Sequence, residues 1–318
     1  MKLLVTGADG FIGSAVVGRA KLDATFEVSG SVRGAMPAAP SEITIYQDRE
    51  LQPDADWGPT LAGQNAVVHT AARAHVESTA GAQDLAEFRR VNGSSTLNLA
   101  RQAAAAGVRR FVFLSSIGVN GSETTDTPFT ADDPVAPRTP YAVSKHEAEV
   151  GLRRIAEETG LEVVIIRPPL VVGPGAPGTF GRMLKVVALG IPLPFGAIHN
   201  RRSLVALDNL TDLILTCVLR PAAGNETFLV SDGEDLSTTA LLRRTAAALG
   251  RPARLVPVPV YLLRRTLGLM GQGNLARQLC HSLQLDMGKT REMLGWAPRV
   301  SVDQALSQAA EHFLRSSG

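Results

Sequence analysis

The 318-residue sequence is short of cysteine, of aromatic residues and of any charge surplus, and each shortage removes a class of protein. Cys217 and Cys280 are its two cysteines, too few for a disulfide framework or a zinc cluster, and they read as small buried hydrophobes or idle thiols. Lys and Arg number 32 against 30 Asp and Glu, so the net charge of +2 gives no basic excess for holding nucleic acid. No stretch reaches the ~18 apolar residues that a transmembrane helix needs, and no membrane insertion is expected. The chain enters a strand pattern at once, Lys2-Leu3-Leu4-Val5, without the charged start, apolar run and cleavage site of a signal peptide. A soluble protein of a reducing, cytoplasmic compartment is the expectation. Repeats and low-complexity tracts are also missing. A content of 45% hydrophobic and 19% charged residues excludes disorder.

What is present is an alternation of short β-rich runs with longer helical stretches. Strands are expected at Leu3–Thr6, Phe26–Val32, Ala66–His69, Arg110–Leu114 and Glu162–Arg167. Helices are expected between them, at Gly13–Leu22 and from about Asp84 to Ala106. The strands are apolar without clean alternation, as strands covered on both faces are. Strand–helix alternation of this kind points to an α/β fold, a Rossmann-type doubly wound parallel sheet. After Pro168 the rhythm changes to Pro- and Gly-rich segments and scattered helices at Asp208–Arg220, Thr238–Leu249 and Val302–Leu314. The division expected is a dinucleotide-binding domain over residues 1–168, with a return near 204–220, and a smaller α/β substrate-binding lobe over 169–318.

Gly7-Ala8-Asp9-Gly10-Phe11-Ile12-Gly13 follows the first strand and opens the first helix. Glycines there tighten the turn and let backbone N–H groups approach a pyrophosphate, which the positive end of a helix favours. A second pattern is Tyr141-Ala142-Val143-Ser144-Lys145, with Tyr and Lys four apart on one helix face. An ammonium beside a phenol lowers the phenol's pKa from about 10, and a tuned phenol moves protons. A third is Leu114-Ser115-Ser116-Ile117-Gly118-Val119-Asn120-Gly121, which sets a hydroxyl at the carboxyl edge of the sheet, where ligands bind. At the end of the second strand, Ser29-Gly30-Ser31-Val32-Arg33-Gly34 has no carboxylate for a ribose but does have a guanidinium suited to a 2′-phosphate. NADP(H) is therefore favoured, with NAD(H) the alternative, since an Arg33 that stacks on adenine serves either.

Taken in order, these motifs resemble the extended short-chain dehydrogenase/reductases, and among them the NAD-dependent epimerase/dehydratase family. The resemblance covers essentially the whole chain. It implies a catalytic trio of Ser116, Tyr141 and Lys145, since the family's Ser or Thr lies about 25 residues before its Tyr. It implies cofactor contacts from Gly7, Gly10, Phe11, Ile12, Gly13, Arg33, Ala71, Ala72, Asn92, Lys145 and Pro168. The family's Asn, here Asn92, also holds a helical distortion that supports the site, and His69 reads as a structural residue at a strand end. For the substrate, Arg201-Arg202-Ser203-Leu204-Val205-Ala206-Leu207-Asp208-Asn209-Leu210 is similar to the nucleotide-sugar branch signature, where the Arg at the place of Arg202 grips a diphosphate. Phe195 falls beside the uracil, Asp286 and Lys289 near ribose or phosphate, and Ser116 and Tyr141 at the sugar.

Two departures narrow the chemistry. Sugar 4,6-dehydratases carry Asp-Glu after the catalytic hydroxyl; Ile117 and Gly118 stand there, so dehydration is not expected. Leu170 occupies the place where many epimerases have an Asn facing the diphosphate. The expectation is an NAD(P)-dependent oxidoreductase acting at C4 of a UDP-sugar, reducing a 4-keto UDP-N-acetylamino-deoxyhexulose for surface polysaccharide such as lipopolysaccharide. The alternative is a UDP-hexose or UDP-N-acetylhexosamine 4-epimerase that recycles NAD. A non-catalytic dinucleotide sensor would have lost Ser116, Tyr141 or Lys145. A steroid- or flavonoid-type reductase would lack the Arg202 signature. A homodimer through the helices at Asp84–Ala106 and Tyr141–Glu158 is implied by the resemblance.

Overall fold

The computed structural model describes residues 1–34, 43–47, 51–74 and 82–317, without the side chains of 82, 83, 274 and 317. Its main element is a seven-stranded parallel sheet. In chain order the strands are β1 (Lys2–Thr6), β2 (Glu27–Val32), β3 (Thr44–Gln47), β4 (Ala66–His69), β5 (Arg110–Leu114), β6 (Glu162–Arg167) and, after two strands of another sheet, β9 (Thr227–Leu229). They lie in the order β3-β2-β1-β4-β5-β6-β9. The order reverses between β1 and β4, whose ladder pairs Thr6 with His69 at the carboxyl ends. A crevice must open there, because the connections leave to opposite faces of the sheet.

Alternate residues of each strand feed two cores. Leu3, Val5, Val68, Val112 and Ile166 face α1 (Phe11–Lys21) and α7 (Leu207–Leu219). Leu4, Val67, Phe111, Phe113 and Ile165 face α2 (Gly58–Leu61), α4 (Ser95–Ala105) and α5 (Pro140–Thr159). The long helix expected over Asp84–Ala106 is broken in register. It begins as α3 (Ala82–Phe88), passes through a π-helical turn at Arg89–Ser94, and only then becomes α4.

The smaller lobe is built on β7 (Leu170–Val172), β8 (Arg202–Ala206) and β10 (Asp235–Leu236), in the order β10-β8-β7. Helices α6 (Gly178–Ala188), α8 (Thr238–Ala248) and α12 (Val302–Ser317) cover it through Phe180, Leu184, Leu241, Leu242 and Leu306. Beyond α8 come α9 (Val260–Leu269), α10 (Gly273–Cys280) and α11 (Gly288–Leu294).

The chain crosses between the lobes more often than the boundary at 168 with one return suggests. Of the stretch 204–220, β8 stays in the small sheet while α7 packs on the main one. Phe228 of β9, and Met287, Leu294 and Trp296 around α11, also join the first core. Trp296 is buried, and its Nε1 donates to Asp212 at 2.9 Å, so it serves packing between α7 and the C-terminal segment. Cys217 is a buried core residue, and burial pushes its thiol well up, as expected of an inert sulfur.

Candidate active site

The glycine turn lies at the sheet's reversal point, and its glycines are required by backbone proximity. Gly7 has φ +68°, and a Cβ there would stand 2.9 Å from the Ala71 Cα. A Cβ on Gly13 would run into the Gly7 carbonyl. The Gly10 N–H donates to the Gly7 oxygen at 2.9 Å, which closes the turn. Gly10 then caps α1 in extended conformation, with no side-chain cap and no acidic residue in the first turn. The amides of that turn are thus left for an anion at the positive end of the helix.

A cavity of about 570 Å³ opens beside this turn. Gly7, Gly10, Phe11, Ile12 and Gly13 line it, together with Ala71 and Ala72 after β4, Arg33 after β2, and Tyr141 and Lys145 of α5. The volume is that of a small-molecule or cofactor site. Two wall residues, Trp57 and Arg73, hold buried Nε1–H and Nε–H groups without a hydrogen-bond partner among the described residues. A ligand rich in acceptor oxygens and nitrogens suits such a wall, because buried donors are costly when left unpaired. These observations fit a dinucleotide. Thr6, Arg73, Glu87, Arg90 and Pro177 also line the cavity, and no sequence motif had marked them.

Helix α5 is well delimited. Thr139 Oγ1 accepts from the Ala142 N–H at 3.1 Å, Pro140 stands in the first turn, and Gly160 ends the helix at φ +78°. Tyr141, Lys145 and Glu149 follow at intervals of four, on the face turned to the sheet. The Lys145 Nζ donates to the Leu114 carbonyl at 2.8 Å. It lies 4.4 Å from the Phe113 ring centre and 6.0 Å from that of Tyr141. Burial pushes Lys145 down to about 7, with Glu149 acting in the opposite direction. Burial pushes Tyr141 up to about 12. The depression of Tyr141 by Lys145 expected from the sequence is therefore not found: the ammonium is directed at Leu114, and its own charge is strongly disfavoured.

Ser116, two residues beyond β5, is extended and caps the following turn, its Oγ accepting from the Gly118 N–H at 3.1 Å. A Cβ on Gly118 would lie 3.3 Å from the Ala142 methyl, so the Ser116 turn packs on the first turn of α5, beside Tyr141. The neighbouring Ser115 is turned away and donates to Glu149 Oε1 at 2.5 Å. Glu149 also takes a bidentate bond from Arg167, whose Nη1 donates to Asn120 Oδ1 at 2.9 Å. One buried carboxylate thus ties together α5, the end of β5 and the end of β6.

Asn92 lies in the π-helical turn and is buried. Its Oδ1 accepts from the Arg73 N–H at 2.8 Å, and its Nδ2 donates to the Arg73 carbonyl and Ser144 Oγ, each at 3.1 Å. It is not one of the lining residues, and it holds Arg73 and α5 from behind the cavity wall. His69 is likewise structural, bonded through Nδ1 to Thr6 and through Nε2 to Thr96. Burial first, and the Lys145 charge second, push it down to about 3, so it stays neutral. Pro168 is also outside the cavity lining; its carbonyl accepts from the Ile117 N–H at 3.0 Å and fixes the Ser116 turn.

In the smaller lobe, Arg202 opens β8. Its Nη1 donates to the His281 carbonyl at 3.0 Å, and it makes no ion pair with a carboxylate among the described residues. Burial pushes its pKa down, which marks a guanidinium held largely out of water. Phe195 is partly buried against the core of the smaller lobe. Asp286 is exposed, and its Oδ1 accepts from the Gly288 N–H at the start of α11. Lys289 is engaged by Asp132 at 2.8 Å and Glu226 at 2.9 Å.

Comparison with known proteins agrees with this geometry. The sequence model of the NAD dependent epimerase/dehydratase family matches residues 3–231. A UDP-glucose 4-epimerase of Vibrio cholerae is 40% identical over 316 residues, covering 99% of this chain and 96% of that protein. A UDP-glucose 4-epimerase of Mycolicibacterium smegmatis is 30% identical over 331 residues, covering 100% of both. Among solved structures, a UDP-glucuronic acid 4-epimerase from Bacillus cereus in complex with NAD superposes with a TM-score of 0.82 at 19% identity, covering 100% of both chains.

Proposed function

The chain belongs to the NAD dependent epimerase/dehydratase family, and on that premise we propose that it is a 4-epimerase of a UDP-linked hexose or N-acetylhexosamine. The observation that carries this reading is the single cavity shared by the glycine turn, Tyr141 and Lys145. Proton-transfer groups beside a dinucleotide cradle are what this reaction requires. A dinucleotide bound there supplies a hydride acceptor and donor for the sugar C4.

The chain's own residues handle the proton and the position. Tyr141, pushed up to about 12, is a neutral phenol at pH 7 and is ready to protonate a 4-keto oxygen. In the opposite direction its phenolate takes the proton of the 4-hydroxyl, and a charged Lys145 favours that form. The Ser116 hydroxyl hydrogen-bonds the same oxygen and shares its developing charge. Arg202, with donor capacity left over after its one bond to His281, offers a two-pronged contact to the diphosphate. The Phe195 ring supports the uracil. Turnover of the 4-keto sugar within the site, without cofactor exchange, makes the enzyme an epimerase.

A second reading keeps the 4-ketoreductase with NADPH. It rests on Arg33, which lines the cavity just after β2, where no carboxylate stands. The homodimer through α4 and α5 belongs to either reading; Val150 on α5 is exposed. No described helix is long and apolar enough to cross a membrane.

One experiment separates the readings. The protein is purified without added cofactor and denatured, and the released dinucleotide is identified by mass spectrometry. UDP-glucose and UDP-N-acetylglucosamine are then offered without cofactor. Near-stoichiometric NAD with turnover supports the epimerase. An empty site, or NADP, with turnover only of a 4-keto sugar in the presence of NADPH overturns it for the ketoreductase.

A further inference from the structure

The segment from Ser237 to Leu285 contains seven arginines and no Asp or Glu. The rest of the chain then holds 25 Lys and Arg against 30 Asp and Glu, so a near-neutral protein is strongly polarised. The exposed part of this segment is the hairpin of α9 and α10, joined by a tight turn in which Gly271 has φ +72°. Leu263 is the buried residue of α9 and Ala276 that of α10. The faces left outside mix arginines with exposed apolar side chains. Leu269 is 81% exposed, Met270 69% and Tyr261 69%, with Leu262 and Leu275 beside them. Helices of 10 and 8 residues are too short to be stable by themselves, so a hairpin with so little core gains from a covering layer.

We infer that the α9–α10 hairpin docks this protein on an anionic lipid surface, with Leu269, Met270 and Tyr261 entering the headgroup layer and Arg264 and Arg265 held at the phosphates. Aliphatic tips flanked by arginines are the composition of an interfacial element, and the hairpin is far too short to span a bilayer. Arg254, Arg264 and Arg265 make no ion pair with a carboxylate among the described residues, so their charge is available to the surface. A second copy presenting the same face would bring like charges together. Nucleic acid would call for stacking aromatics, and Tyr261 is the hairpin's one aromatic residue. The base of the hairpin is tied to the site: Thr238 Oγ1 and Asn200 Nδ2 both donate to the Leu279 carbonyl, and Arg202 to that of His281. Docking would therefore orient the proposed diphosphate end of the cleft with respect to the membrane. The inference concerns the hairpin alone and stands whichever reaction the site performs.

The test is flotation of the purified full chain with vesicles of phosphatidylcholine, and of phosphatidylcholine with one quarter phosphatidylglycerol. The protein is expected to float with the anionic vesicles at low salt and to be released by high salt or by omission of phosphatidylglycerol. Arg264→Ala with Arg265→Ala should lower the partition coefficient roughly 25-fold, about fivefold for each charge. Leu269→Glu with Met270→Glu should abolish flotation, and the exposed control Leu22→Glu on the other lobe should leave it unchanged. All these positions lie outside the catalytic cavity, so basal turnover serves as the check on folding. Protein that stays at the bottom with anionic vesicles overturns the inference, as does flotation indifferent to the hairpin substitutions. So does self-association in sedimentation velocity that Leu269→Glu with Met270→Glu removes, in the absence of vesicle binding, because it assigns the face to a second copy.

Discussion

Arg167 meets Glu149 in a two-pronged ion pair, Nη2 to Oε2 at 2.5 Å and Nε to Oε1 at 2.9 Å, and both side chains are buried. Such a pair costs much to desolvate and much more to break, since one partner alone leaves an uncompensated charge. Arg167→Met is expected to lower stability by about 3–5 kcal/mol. Adding Glu149→Leu to it should recover most of that loss. Urea unfolding midpoints of the three proteins decide the matter, and a double variant no better than Arg167→Met would remove the pair as the cause.

Lys145 sits one turn before this pair, and its burial has a consequence for stability. Its folded pKa, about 7, lies below the ordinary value of 10.5. Above pH 10.5 neither state is charged and there is no cost. As the pH falls toward 7 the unfolded chain takes up the proton first, so the fold loses stability, and below 7 the cost is complete. The change over that window is on the order of 5 kcal/mol. Unfolding measured at pH 7 and 9 should show a fold more stable at 9 by this group. Lys145→Met should flatten that difference, gain stability at pH 7 and abolish turnover. A wild-type difference equal to that of the variant would show that Lys145 is not the source.

Tyr141→Phe keeps the ring against Phe88, whose centroid is 6.1 Å away, and removes only the hydroxyl. Turnover should fall by roughly 10²–10⁴-fold, the scale of a lost general acid–base. Dinucleotide affinity should change little. Normal activity in the variant would assign proton transfer to another group.

Arg33→Ala bears on the choice of cofactor. A guanidinium that meets a 2′-phosphate discriminates, and one that stacks on adenine does not. The substitution should weaken NADPH binding at least tenfold more than NADH binding if the first contact is made. Equal losses in titration calorimetry would leave adenine stacking as the role of Arg33 and favour the NAD-recycling epimerase.

The sheet and the helix that carries Tyr141 and Lys145 were legible because their causes are local. Ala66–His69, Arg110–Leu114 and Glu162–Arg167 are apolar runs bounded by turns, and they form strands at those limits. The glycine turn was legible because backbone crowding leaves no other residue at Gly7 and Gly13. What was missed depends on long-range packing. Thr44–Gln47 joins the sheet only as an edge beside β2, and Thr227–Leu229 is a three-residue strand made by the neighbouring β6. Trp57, Arg73 and Pro177 reach the cavity from three separate elements, with no shared spacing to reveal them. Asp286 matched a ligand-binding position by sequence, and in the fold one of its oxygens accepts from the Gly288 amide, a local contact that the sequence match does not reveal. The electrostatics of Lys145 and Tyr141 were misjudged because spacing reports a shared face and not the solvent that each group loses.

Gly13→Ala tests the cradle itself. The new methyl would be placed against the Gly7 carbonyl and 2.8 Å from Thr70 Oγ1. Backbone cannot yield there as a flexible side chain would, because the Gly7 oxygen also receives the Gly10 N–H, and the Thr70 hydroxyl is bonded to the Thr6 carbonyl at 2.6 Å. The turn must therefore open, at a cost of about 1–3 kcal/mol of stability, and its amides leave the positions that would face a pyrophosphate. Gly10→Ala is the matched control, since its methyl would meet the Gly7 oxygen at 3.1 Å, a smaller displacement. Dinucleotide affinity should fall at least tenfold in Gly13→Ala and by less in Gly10→Ala. Affinity unchanged in Gly13→Ala, measured on protein stripped of cofactor, would place the pyrophosphate away from this turn.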